Sequence, residues 1–259
     1  MATLDLRRDA AEENIQLSGI EKLSNFDRLS AIKTWKGRMV NEHISARVFA
    51  ALVPQMMKAG LPSKWQEEIA GMIQQELRHG RQCAAMVHAL GGEAIAELPE
   101  LSEVPEHPDC PPIEGLLRNI ISISCLSETV AVSLIGAEHE DVGPPEMRET
   151  LGVILSEEVQ HARFGWMVLR EIAEGVPDDM KERLGDYLVG AFKHLRDHEL
   201  AALPNDHIPS EDATKVGVCD GNDARSLFFD TVEQVIIPGL EEHGLPASDA
   251  WQASYKLAS

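Results

Sequence analysis

The stretch Ser156-Glu157-Glu158-Val159-Gln160-His161-Ala162-Arg163 places a carboxylate and an imidazole three residues apart, at Glu158 and His161. Apolar residues recur every three to four positions on both sides of this stretch, which predicts a helix. Residues at positions i and i+3 lie on the same helix face, so the two side chains point in one direction. Because they interrupt the apolar stripe of that face, we expect both to be buried; the stripe consists of Leu151, Ile154, Gly165, Val168 and Ile172.

A second Glu-x-x-His pair lies upstream, at Glu76-Leu77-Arg78-His79. It interrupts the apolar stripe of another predicted helix in the same way. Two further predicted helices each carry one glutamate in the middle of an apolar stripe, Glu42 in the first and Glu128 in the second. The chain therefore contains the same order twice: a helix with one inward glutamate, then a helix with a Glu-x-x-His pair.

Helical periodicity dominates the whole sequence, and strand-like alternation is not sustained anywhere. The pattern predicts six helices, at about residues 24–58, 63–91, 113–138, 146–175, 178–203 and 223–242. Short loops join the first helix to the second and the third to the fourth, whereas a connector of roughly 20 residues separates these two pairs. A hairpin, a long crossover and a second hairpin are the layout of ferritin-like bundles.

The predicted fold class is therefore all-α, a ferritin-like four-helix bundle with two additional C-terminal helices. The predicted organisation is an N-terminal segment, the bundle, and the additional helices with a tail, at residues 1–24, 25–175 and 176–259.

Four carboxylates that face one bundle interior cannot all stay ionised without compensation, since even one uncompensated buried ion costs several kcal/mol. The inward stripes offer no lysine or arginine to neutralise them. Two divalent cations supply the missing charge. A ligand set rich in oxygen with two imidazoles suits iron or manganese, and the absence of thiolate disfavours a structural zinc site.

The pattern Glu42, Glu76-x-x-His79, Glu128, Glu158-x-x-His161 resembles the ferritin-like di-iron carboxylate superfamily over about residues 25–175. In layout it is most similar to the small soluble di-iron oxygenases. The resemblance implies that these six residues hold two Fe ions, with Mn or a mixed Mn/Fe pair as the alternative. It also implies that Glu76 and Glu158 are candidates to bridge both metals and that the six residues form the catalytic site.

The resemblance further implies a non-haem di-iron oxygenase or oxidase that activates O2 to oxidise a small, apolar or partly apolar organic substrate. A di-manganese catalase or peroxidase, a ferroxidase or metal-storage protein, and a non-catalytic helical bundle remain alternatives. Small residues beside the expected ligands, Ala46, Ala131 and Gly165, are interpreted as leaving room for a substrate channel. An oxygenase needs an electron donor; the basic segment 28–38 is either a docking site for a ferredoxin or reductase or an ordinary solvated helix face.

The charge balance limits the other partners. The sequence holds 23 Lys and Arg against 43 Asp and Glu, a formal net charge of −20. Nucleic acids and anionic membranes attract basic proteins, so both classes are excluded as partners. The apolar stretch 116–137 is interrupted by Arg118, Asn119 and Glu128, which argues against a membrane span.

Four widely spaced cysteines without a Cys-x-x-Cys pair, and no secretory signal, favour a reduced cytoplasmic protein. A homodimer is left open.

Overall fold

The computed structural model describes residues 2–257 except residues 204 and 206. Its helices are α1 (Arg7–Glu13), α2 (Asn25–Lys58), α3 (Ser63–Ala89), α4 (Pro112–Ile120), α5 (Thr129–Asp141), α6 (Pro145–Ala173), α7 (Asp178–Ala202), α8 (Glu211–Thr214), α9 (Gly221–Thr231), α10 (Ile237–Glu242) and α11 (Ala247–Ser254). The strands are β1 (Thr3–Asp5) and β2 (Ile95–Glu97). The predicted all-α class and the six predicted helices are confirmed.

The first hairpin of the bundle, α2 and α3, begins and ends where its capping residues predict. The Ser24 hydroxyl accepts a hydrogen bond from the backbone N–H of Asp27, which satisfies one free donor of the first turn of α2. Gly60 follows the C-cap with φ +73°, a left-handed conformation that glycine adopts without steric cost. The chain therefore reverses within a few residues, and α3 packs antiparallel along α2.

The third helix of the bundle is continuous from Pro112 to Asp141, but its middle, Ile121–Glu128, is π-helical. Among the described residues it is the one helix long and apolar enough to cross a membrane by length and composition. Half of its apolar window is buried inside the protein, and it packs between α6 and the C-terminal helices. We therefore interpret it as a core helix of the bundle.

The long crossover between the hairpins is mostly irregular, and it carries β2. Strand β1 at the N-terminus pairs antiparallel with β2, with Leu4 opposite Ala96. The N-terminal segment then forms α1, where Ala10 is completely buried in the same apolar cluster as Trp35 of α2. Neither the strand pair nor α1 was predicted, because each is only a few residues long and shows no sustained periodicity.

The C-terminal helices form an apolar core of their own against the outer side of the third bundle helix. Phe192 of α7, Phe228 of α9 and Trp251 of α11 are buried together with Leu117 and Cys125. Two additional helices were predicted. The first is α7, and the second is the continuous helix in which the π-helical turn Val232–Ile236 joins α9 to α10. The structure adds α11. The predicted boundary at residue 175 stays a prediction.

Candidate metal centre

The six residues singled out in the sequence come from four helical segments and meet in the bundle interior. The π-helical segment of the third helix supplies Glu128, and α2 supplies Glu42. The two Glu-x-x-His pairs come from α3 and α6. No residue of the set is more than 8% exposed; the set is Glu42, Glu76, His79, Glu128, Glu158 and His161.

The ligating atoms fall into two overlapping groups, and within each group they lie within 4.8 Å of one another. One group contains Glu42 and His79, and the other contains Glu128 and His161. Glu76 and Glu158 belong to both groups. Each group therefore offers three carboxylates and one imidazole, and the two glutamates of the Glu-x-x-His pairs are shared. This is the placement that the sequence prediction of bridging glutamates requires.

The Nδ1 atoms of both imidazoles face the carboxylates. His79 Nδ1 lies 3.1 Å from Glu158 Oε1 and 3.5 Å from Glu42 Oε2. His161 Nδ1 lies 2.9 Å from Glu76 Oε1 and 3.0 Å from Glu158 Oε2. The centroids of the two rings are 6.1 Å apart. The two Nδ1 atoms thus point into the two groups, one each.

The outer nitrogen of each imidazole is held by the residue that precedes the opposite Glu-x-x-His pair. His79 Nε2 lies 2.7 Å from Glu157 Oε2, and Arg78 donates a hydrogen bond to Glu157 Oε1. His161 Nε2 lies 2.8 Å from Gln75 Oε1. A metal-binding histidine commonly donates its second ring N–H to such a partner, which fixes the ring orientation.

Sequence reasoning did not find Gln75 and Glu157. The repeated pattern of a hydrogen-bonding residue directly before each motif glutamate was the available signal. The pairing crosses between helices, so it could not be read from either helix alone.

The electrostatics shows how strongly the four carboxylates repel one another. Burial, followed by repulsion from Glu158, raises the pKa of Glu76 and of Glu128 well above the usual range. Burial alone would lower the pKa of His79, but the carboxylates of Glu158 and Glu42 beside its ring raise it to about 11. Burial opposes ionisation of Glu158 as well, yet the hydrogen bond from His161 and the nearby imidazole of His79 hold its pKa well below the usual range. Without cations, the site therefore retains protons.

The donor set fits two divalent cations. Both carboxylate oxygens of Glu76 and the Nδ1 atom of His79 are buried and make no well-oriented hydrogen bond, although His161 Nδ1 and Glu158 Oε1 lie close to them. A buried polar atom without a hydrogen bond costs about 1–3 kcal/mol, so native proteins rarely leave three of them in one place without a ligand. Carboxylate oxygens and imidazole nitrogens are ligands that iron and manganese accept.

Comparisons with known proteins give the fold. No family model matches the sequence, and no curated protein sequence matches it. A solved structure described as "Protein 19 with aldehyde deformylating oxidase activity from Synechococcus" superposes with a TM-score of 0.63. The match covers 90% of this chain and 98% of that chain at 18% identity. The chain has a ferritin-like fold. At this identity the likeness establishes the fold, and the activity has to be inferred from the site.

Within the ferritin-like bundle, one interpretation of the sequence is wrong. Gly165 does not leave room for a channel, because a Cβ atom added there would lie 2.4 Å from Ser124 Cβ. The glycine instead lets α6 approach the π-helical segment. Arg38 of α2 is largely withdrawn from solvent, and its guanidinium pairs with Glu138. Because it is already paired, it does not neutralise the four carboxylates.

The basic segment 28–38 of the bundle also contributes to structure. Arg28 donates hydrogen bonds to the carbonyl oxygens of Ile20 and Leu90, and Arg38 pairs with Glu138. Two of its cations are therefore engaged inside the protein, which weakens its interpretation as a docking surface.

Proposed function

We propose that this ferritin-like protein is an O2-dependent oxidoreductase in which a di-iron centre oxidises a small organic substrate. The observation that supports the proposal is the pair of overlapping groups in the bundle interior, each with three carboxylates and one Nδ1 atom. Two adjacent cations with shared ligands suit a reaction that draws more than one electron from the metal site. The fold supports the same class, because the similar solved structure is described as having aldehyde deformylating oxidase activity.

Each side chain has a distinct task in this proposal. Glu42 and His79 hold one cation, Glu128 and His161 hold the other, and Glu76 and Glu158 serve both. When bound, the two irons supply the electrons that O2 activation requires. The protein keeps bulk water out: Phe49 is completely buried, and its ring centroid lies 5.2 Å from that of His161. A dry interior strengthens the electrostatic interactions of the site.

The substrate class follows the same reasoning. Aldehydes are the first compounds to test, because the similar structure is described as acting on an aldehyde. An external electron donor, such as a ferredoxin with its reductase, belongs to the proposal, because irons oxidised by O2 must be reduced again before the next reaction.

The test is reconstitution of the metal-free full-length chain with Fe²⁺ under anaerobic conditions, followed by exposure to air. We expect about two irons per chain by elemental analysis, conversion from ferrous to ferric iron by Mössbauer spectroscopy, and O2 uptake that increases with an aldehyde and a reductant.

Substitution variants provide the control. Glu158→Ala removes a residue of both groups, so its iron content falls well below that of the native chain, whereas the exposed Glu171→Ala on the same helix leaves it unchanged. Preferential retention of manganese with breakdown of hydrogen peroxide, or iron uptake into a large particle without substrate oxidation, would overturn the proposal.

A further inference from the structure

The inner ligands of the two proposed metal positions are matched, but their outer hydrogen-bond partners are not. Each position has three carboxylates and one imidazole. The imidazole of His79 is held by the carboxylate of Glu157, and that of His161 by the neutral amide of Gln75. Because the two ligand sets are the same in kind, a difference in metal affinity between the two positions can be assigned to these outer hydrogen-bond partners.

We infer that Glu157 and Gln75 make the two metal positions unequal, so that the position beside His79 binds its cation more tightly than the position beside His161. The inference rests on the proposed di-metal centre. An imidazole whose outer N–H donates to a carboxylate is a stronger electron donor to a metal than one whose partner is an amide. The negative charge of Glu157 also attracts a cation bound at Nδ1, across the ring from the Nε2 atom that Glu157 contacts.

Arg78 does not cancel this effect. Its side chain is 41% exposed, whereas that of Glu157 is 16% exposed. Water therefore screens the guanidinium more effectively than it screens the carboxylate. The contact with Arg78 also uses only one carboxylate oxygen, Oε1, and leaves Oε2 on the imidazole of His79. The arginine thus fixes the carboxylate in position for the ring.

The surroundings of Gln75 allow the converse substitution. Gln75 borders an open groove of about 290 Å³ between α3 and α6, where Gln160 and Phe164 are neighbours. A glutamate at position 75 has nearly the same shape as glutamine, and the groove gives water access to its charge. Glu157→Gln and Gln75→Glu are therefore matched variants that exchange charge for neutrality without changing side-chain size.

The experiment is a stepwise titration of the metal-free full-length chain with Co²⁺ alone, followed by the optical absorption of the bound cobalt. For the native chain we expect two binding steps of different affinity. His79→Ala should remove the tighter step, and His161→Ala the weaker one. Glu157→Gln should weaken the tighter step about 10–100-fold and leave the weaker step in place. Gln75→Glu should strengthen the weaker step, and the double exchange should reverse the order of filling.

Circular dichroism confirms that each variant folds, and the gain of affinity in Gln75→Glu cannot come from damage to the fold. Two equal steps in the native chain, or equal weakening of both steps by Glu157→Gln, would overturn the inference while leaving the di-metal centre intact. Absence of cobalt binding to the native chain would overturn the proposed centre and the inference together.

Discussion

Metal loading should release protons, because the site without cations holds protons where the cations would bind. The pKa of His79 is raised to about 11, so its imidazole is protonated at neutral pH and must lose that proton before Nδ1 can bind a metal. Burial and mutual repulsion raise the pKa of Glu76 and Glu128 well above the usual range, so each adds up to one proton. We expect release of at least one proton, that of His79, when two divalent cations bind near neutral pH, with a further contribution from the two carboxyl groups.

The number of protons sets the pH dependence of binding. Each proton that must leave makes binding tenfold stronger for every unit by which the pH rises, as long as the pH stays below the pKa of that group. The proton of His79 alone therefore increases the combined affinity for two cations about tenfold per pH unit, equivalent to about 1.4 kcal/mol, and each carboxyl group that is protonated adds to this slope. The slope decreases once the pH passes the raised pKa values of the two carboxyl groups, and the contribution of His79 persists to about pH 11.

Isothermal titration calorimetry in buffers with different ionisation enthalpies measures the proton count directly. Glu128→Gln removes one group with a raised pKa, so the variant should release fewer protons than the native chain. Glu171→Gln, on the exposed side of α6, should release the native number. Metal binding without proton release, or a Glu128→Gln count equal to the native one, would refute the electrostatic reasoning about this site.

Three further outcomes follow from the same structure. The metal-free protein should lose stability as the pH rises from 6.5, the pKa of His79 in the unfolded chain, to about 11, its pKa in the folded chain. The reason is that a raised pKa stabilises the fold only while the proton is bound. Urea unfolding at several pH values measures this loss. At pH 9, Glu128→Gln should raise the stability of the metal-free chain by about 1–3 kcal/mol and lower its metal content, as measured by urea unfolding and elemental analysis. Gly165→Ala should destabilise the fold by about 1–3 kcal/mol in urea unfolding, because the added Cβ atom would lie 2.4 Å from Ser124 Cβ. Gly71→Ala is the control: no atom lies within 4 Å of its added Cβ, so it should stabilise α3 by about 0.5–1 kcal/mol in the same assay.

Much of the bundle could be predicted because its information is local. The spacing of Glu158 and His161 fixes their common face, and the apolar stripe around them fixes which face is inside. Ser24 and Gly60 mark the ends of α2 by the hydrogen bond and the backbone conformation that those residue types supply. The crossover layout followed from loop length alone.

What could not be predicted depends on residues that are distant in sequence. The contact of Glu157 with His79 joins two helices, and its existence depends on how they cross. The role of Gly165 was misjudged for the same reason, since nothing in its own helix indicates that the third bundle helix lies against it. A π-helical turn is likewise invisible to a pattern search that assumes 3.6 residues per turn.

The least regular part of the third bundle helix leads directly to a site residue. The π-helical segment ends at Glu128, and within it Ser124 is buried with its hydroxyl oxygen lacking a hydrogen bond. Gly165 is needed opposite that serine, at some cost to the stability of α6. A regular α-helix would avoid these costs but would give the last residues of the segment a different angular position, so Glu128 would not keep its present orientation. In the proposed di-metal centre, cations that bind only the folded form would stabilise it by mass action and so offset the local cost of holding Glu128 in the bundle interior.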